Sequence, residues 1–151
     1  MLLQGKIEIA TGRDRTYGFV SDPANVIQCL PGIQDYSVED NKRVSASVKV
    51  SFGFIKTVFQ ATSRVVKEDP PTRSATLEVT GSGSGSSFRG LVDLNIAGGE
   101  DSAELGWRAD ISVNGPLGSL ARPLLEGFVQ RTVDQLFDCM KVKLSQPDFH
   151  L

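Results

Sequence analysis

The chain has 151 residues, with 16 lysines and arginines against 18 aspartates and glutamates, 40% hydrophobic residues and 23% charged ones. That is the composition of one soluble globular domain, expected to span residues 1–151 without linker or repeat. A net charge of −2 lacks the basic surplus of a nucleic-acid binder. No run reaches the ~18 apolar residues of a membrane span, and the N-terminus lacks a secretion leader, so a cytoplasmic protein is expected.

Leu3, Gly5, Ile7 and Ile9 alternate with Gln4, Lys6 and Glu8, a half-exposed strand. A short helix is expected over Gly12–Val20, capped by Thr11. Ser21-Asp22-Pro23 opens a second helix, which Pro31-Gly32 ends. Six strands are then expected between Ile33 and Gly115. The clearest has Val44, Ala46, Val48, Val50 and Phe52 alternating with Ser45, Ser47, Lys49 and Ser51. Phe54–Lys67 is rich in residues that favour strands, and Glu68-Asp69-Pro70-Pro71 stops it. Ala75, Leu77 and Val79 alternate next, then Phe88, Val92, Leu94 and Ile96, then Ala103 through Val113. After Asn114-Gly115-Pro116 the period changes from two to 3.6. Leu117, Leu120, Leu124, Phe128, Leu136, Phe137, Met140 and Leu144 mark one side of a helix of roughly 25 residues, which kinks or begins at Pro123. Consecutive strands with short turns imply an antiparallel sheet. The last helix is the one large partner for its apolar face.

This order of elements resembles the START/polyketide-cyclase (SRPBCC) superfamily and, within it, the carbon monoxide dehydrogenase G-subunit family. The matching residues are Asp22-Pro23, Cys29-Leu30-Pro31-Gly32, Val48-Lys49-Val50-Ser51-Phe52-Gly53, Ile55-Lys56 and Phe59, Gly81-Ser82-Gly83-Ser84-Gly85, Gly118-Ser119-Leu120-Ala121 and Gln135-Leu136-Phe137. The resemblance covers residues 1–145. It implies an α+β helix-grip fold: a curved antiparallel sheet of about seven strands around a long C-terminal helix, with two short helices after the first strand. It also implies an apolar cavity for a quinone or lipid-like molecule and, as a partner, a molybdenum-containing dehydrogenase complex. Family members often carry a C-terminal extension that meets the membrane. This sequence ends at Leu151, so membrane contact is expected to be peripheral at most.

The one histidine, His150, stands next to the last residue. Ser-His and Cys-His catalysis and most zinc sites need a held imidazole, and a chain end frays. Mechanisms that depend on histidine are therefore not expected; the paired acids Glu39-Asp40 and Glu100-Asp101 fall in turns, where they are solvated, and no catalytic residue, metal or cofactor is expected. Cys29 and Cys139 lack metal-site spacing. Two free thiols, buried as small hydrophobes, are the simpler reading, and one bridge is the alternative. The glycine run at 81–85 lacks the Lys-Ser/Thr pair and following helix of a phosphate loop, so its expected role is bending a strand.

Val50, Phe59, Leu77, Phe88, Val92, Trp107, Leu125 and Phe128 are expected to line the cavity, with Leu30 or Ile27 near its entrance. Ala46, Ala61, Gly90 and Ala109, all small and inward, favour a void over a filled core. Arg89, Arg108 and Asp110 fall on the outward parity. Lys49 and Lys56 flank an apolar hairpin tip, Phe52-Gly53-Phe54-Ile55, which is either a contact for a membrane or a partner or a solvated strand with a poorly covered tip. The expected function is a non-catalytic carrier or accessory subunit for a hydrophobic small molecule. A docking subunit that recruits an oxidoreductase to the membrane is the first alternative, and a polyketide-cyclase-like enzyme ranks last. An open sheet edge also leaves room for a homodimer.

Overall fold

The computed structural model describes residues 1–39, 42–52, 55–119 and 122–146. Strand β1 (Leu2–Ile9) is followed by helices α1 (Arg13–Val20) and α2 (Pro23–Ile27). Six strands then run in succession: β2 (Ile33–Glu39), β3 (Arg43–Phe52), β4 (Ile55–Asp69), β5 (Ser74–Gly83), β6 (Ser86–Gly98) and β7 (Ala103–Asn114). Helix α3 (Arg122–Ser145) comes last. The described strands make one antiparallel sheet in the order β1-β7-β6-β5-β4-β3-β2. Short turns favour hairpin pairing from β2 to β7. The two short helices carry the chain across, so β1 pairs with β7. The expected helix-grip arrangement is the one observed.

Alternation decides which face of the sheet is inside. In β7, Leu105, Trp107 and Ala109 are buried and Arg108 and Asp110 are exposed. In register with them, Leu94 and Ile96 of β6 are buried and Asp93 and Asn95 exposed. A slip of one residue would turn the whole apolar set outward. Register shifts between Ile33 and Asp35 and between Val65 and Lys67 mark bends in β2 and β4, which help the sheet curve around α3.

The short helices act as fasteners. The N-cap of α1 is Gly12 and not Thr11. Thr11 instead donates its hydroxyl to the Leu144 carbonyl, to which Arg15 also donates at 2.9 Å; a second Arg15 N–H reaches the Gln146 carbonyl at 2.9 Å. The carbonyls that end α3 thereby gain partners, with a cation where the helix dipole favours one. Asp22 caps α2, its Oδ1 accepting from the Ala24 amide at 2.9 Å. The Pro31-Gly32 turn holds α2 to β3. Gly32 has φ +83° and a Cβ there would stand 2.1 Å from the Lys49 carbonyl oxygen. Its own carbonyl accepts from the Lys49 amide at 2.8 Å. Only glycine meets both demands.

Two expectations need correction, the free thiols and the place of Leu124, and the choice left open at Pro123 falls to a helix that begins there. Cys29 and Cys139 are not two free thiols: they form a disulfide, Cα atoms 5.5 Å apart, that ties the end of α2 to α3 across 110 residues of sequence. The long helix begins at Arg122, so Pro123 sits in its first turn, where a missing N–H breaks no bond. Leu124 does not belong to its inward stripe and is 60% exposed. The inward residue is its neighbour Leu125, about 100° further round the helix. Leu120, the tip at Gly53-Phe54, Asp40-Asn41 of the polar turn, and His150 lie outside the described residues.

Candidate functional site: an apolar cavity beneath the long helix

Sheet and helix do not fill the space between them. A cavity of about 650 Å³ lies under the N-terminal part of α3, within the roughly 300–1,000 Å³ typical of small-molecule sites. Its floor is the inner face of β3 to β7. The smallest residues of that floor are Ala61, Gly90 and Ala109. A Cβ added at Gly90 would meet Ile111 at 3.6 Å and the Val79 carbonyl at 4.0 Å, both ordinary contacts. Backbone crowding therefore does not force the emptiness; the choice of small side chains does. Elsewhere glycine makes room for rings: a Cβ on Gly81 would stand 2.3 Å from the Phe88 ring.

Val50, Phe59, Phe88, Val92, Trp107, Leu125 and Phe128 all border this cavity, and so does Leu30. Leu77 does not border it. It is 1% exposed, pairs in register with Val65 and Val92, and lies deeper, beside a smaller void. Ile27 is likewise beside the smaller void, and Ala46 is in a separate small core with Ile27 and Val44. Sequence reasoning passes over Val79 and Ile111, which share the inward parity of Leu77 and Ala109, and Val129 and Leu136 on α3. It has no signal for the rim. Lys49, Ser51, Arg131 and Gln135 of the lining are exposed and form its rim, and Thr132 beside them is half-buried.

Two aromatic pairs brace the wall. Phe59 stacks on Phe88 with centroids 5.9 Å apart, and Trp107 stacks on Phe137 at 4.9 Å. The glycine run is a hairpin and not a bend within one strand. β5 ends at Gly83, and Ser84 (φ 51°) and Gly85 (φ 79°) make a two-residue turn into β6. Arg89, Arg108 and Asp110 face solvent. On that outer face Glu78 lies between Arg64 at 2.9 Å and Arg89 at 2.7 Å. Hydrogen bonds from Arg64, then Arg89, hold its carboxyl below the usual carboxylate range. Among the described residues no cluster of three or more His, Cys, Asp or Glu is placed to hold a metal. No described helix is long and apolar enough to cross a membrane.

The model of the carbon monoxide dehydrogenase G-subunit (CoxG) family matches residues 5–145. The chain belongs to that family. No curated protein matches it. Among solved structures, a conserved protein from Geobacillus kaustophilus superimposes on this CoxG family member with a TM-score of 0.85 at 16% identity, over 96% of this chain and 95% of its own. A START superfamily protein from Mycobacterium smegmatis gives 0.69 at 17% identity, over 96% and 97%. The Zhui aromatase/cyclase from Streptomyces sp. R1128 gives 0.68 at 11%, over 95% and 93%. At such identities the likeness is one of fold, the helix-grip fold of START and polyketide-cyclase proteins. One of these relatives is named for a catalytic activity, so chemistry must be argued from the site.

Proposed function

We propose that this CoxG family member is a non-catalytic carrier or accessory subunit that takes one hydrophobic molecule, quinone- or lipid-like, into the cavity under α3 and serves a molybdenum-containing carbon monoxide dehydrogenase. The observation that carries the reading is the cavity itself, about 650 Å³ and walled by Phe59, Phe88, Trp107, Phe128 and aliphatic side chains. The mechanism is burial. A ligand that hides roughly 300 Å² of apolar surface gains roughly 7.5 kcal/mol at about 25 cal/mol per Å², less the cost of association. Flat rings suit the stacked aromatic wall, and an isoprenoid or acyl chain suits the aliphatic part. The described lining includes no carboxylate, imidazole or thiol; its two cations, Lys49 and Arg131, and the Ser51 hydroxyl are exposed on the rim, and the Thr132 hydroxyl donates to the Phe128 carbonyl of its own helix at 3.0 Å. An enzyme would need convergent ionisable or hydroxyl groups inside, which supports the non-catalytic reading.

The docking alternative draws on β2, an edge strand whose Tyr36 and Val38 are 44% and 65% exposed. Native mass spectrometry of freshly purified protein, followed by solvent extraction, separates the two. A stoichiometric quinone, isoprenoid or lipid mass is expected. Trp107, the single tryptophan, borders the cavity, so titration with 2-methyl-1,4-naphthoquinone should quench its emission to saturation. An empty protein that also fails to respond to the quinone overturns the carrier reading and leaves docking.

A further inference from the structure

A second, smaller space of about 50 Å³ lies between α2, the sheet and α3. Leu30, Val79, Val92, Leu136 and Phe137 border both spaces, so the smaller one is an annex that adjoins the cavity across a shared wall. Its other walls are Val26, Ile27, Leu77, Leu94, Met140 and one polar residue, Ser63. Ser63 occupies an inward position of β4, paired in register with Val44 and Val79. It is 0% exposed, and its hydroxyl has no hydrogen-bond partner among the described residues.

A buried hydroxyl without a partner destabilises a fold, and alanine at the same place would avoid that cost. A trapped water needs two to four polar partners, and Ser63 is the only polar side chain of the annex among the described residues. An uncharged oxygen attached to an apolar body fits better. A carbonyl would accept from the hydroxyl, and an alcohol would donate to it or accept from it. An ionised carboxylate does not fit, since burying it needs a paired cation and the cations of the described lining are on the rim.

We infer that the Ser63 hydroxyl is the inner anchor of the ligand, selecting an apolar molecule that ends in one uncharged carbonyl or hydroxyl and seating that end in the annex. The inference rests on the carrier reading above. It deepens that reading by giving the ligand a chemical end and a direction: neutral oxygen inward, any charged group at the rim.

Three probes with one bicyclic body test it by equilibrium dialysis: 2-acetylnaphthalene, 2-ethylnaphthalene and 2-naphthoate. The native chain is expected to bind the ketone more tightly than the hydrocarbon, and the carboxylate most weakly. Ser63→Ala is expected to weaken the ketone about fivefold, the effect of one neutral hydrogen bond, and to leave the hydrocarbon unchanged. Ser63→Thr, which keeps the hydroxyl, restores the preference. The melting temperature of Ser63→Ala is expected to be equal to or above that of the native chain, which separates an anchor from a residue needed for folding. Ketone affinity unchanged in Ser63→Ala, or ketone and hydrocarbon falling together, overturns the anchor while leaving the carrier reading intact. If none of the three probes binds the native chain, the carrier reading fails and the anchor with it.

Discussion

The two ends of the space between sheet and α3 are built from the same strands, yet one is solid and the other hollow. At the solid end Ile96 and Leu105 meet Ile9, Val20 and Leu144, and all are buried. At the hollow end the same strands present Gly90 and Ala109, and β4 presents Ala61. Both ends obey one alternation, inward on every second residue. The alternation therefore determines the inner face, and side-chain volume determines whether that face is core or cavity wall. Fastening follows the same division. Thr11 and Arg15 lock the last turn of α3 at the solid end. The Cys29–Cys139 bond ties α3 to the end of α2, next to Leu30, which borders the cavity.

Leu105→Ala should test the contrast most severely. It empties a site that is 0% exposed and should cost roughly 2–5 kcal/mol in chemical denaturation, the range for such truncations. Ile111→Ala, on the cavity wall, removes contacts already shared with empty space and should cost about 1 kcal/mol or less. Equal costs would mean the hollow end is not hollow in solution. Next in size is the disulfide. Reduction should lower stability by about 2–4 kcal/mol for so long a loop, measured by denaturant titration with and without a thiol reductant. No change would sink the pairing as a brace.

Gly90→Leu sharpens the comparison from the other side. A Cβ at this position meets only ordinary contacts, and a leucine side chain there takes up part of the cavity and leaves the solid end untouched. Stability should stay within about 1 kcal/mol of the native chain, while naphthoquinone quenching of Trp107 is weakened. A variant that unfolds, or one that binds as tightly as the native chain, contradicts the proposed location of the ligand. The smallest effect concerns the outer face, which neither end uses. Glu78 is held below its ordinary value of 4.5 by Arg64 and Arg89. Its contribution is therefore fully present above 4.5 and disappears as pH falls through the lowered folded value. Solvent screening limits it to less than about 1 kcal/mol. Stability against pH should show that acid-side loss in the native chain and lack it in Glu78→Gln.

Much of the inner face is legible in the sequence. Parity alone turns Phe88, Val92 and Trp107 inward, and helical spacing turns Phe128 toward them. Leu77 shows where that method stops. Its parity is right, but parity does not say how far along the strand the cavity extends. That limit is set by Phe137 and Met140 of α3, which with Leu77 border the smaller void. Leu124 fails for a related reason, since two adjacent leucines satisfy a loose helical pattern and packing selects one. The cysteine pairing leaves no trace in the spacing, because residues 110 apart come within bonding distance only when α2 docks on α3.

By itself the sequence determined the order of elements, the inward face of each strand, the turn at Pro31-Gly32 and the family. All but the last of these follow from short-range rules: a period of two or 3.6, and backbone conformations that few residues adopt. The tertiary structure decided the rest. It left 650 Å³ unfilled at one end of the helix, joined Cys29 to Cys139, and buried the Ser63 hydroxyl without a partner among the described residues. Each depends on the distance between faces that are remote in the chain, and local pattern carries no information about that distance.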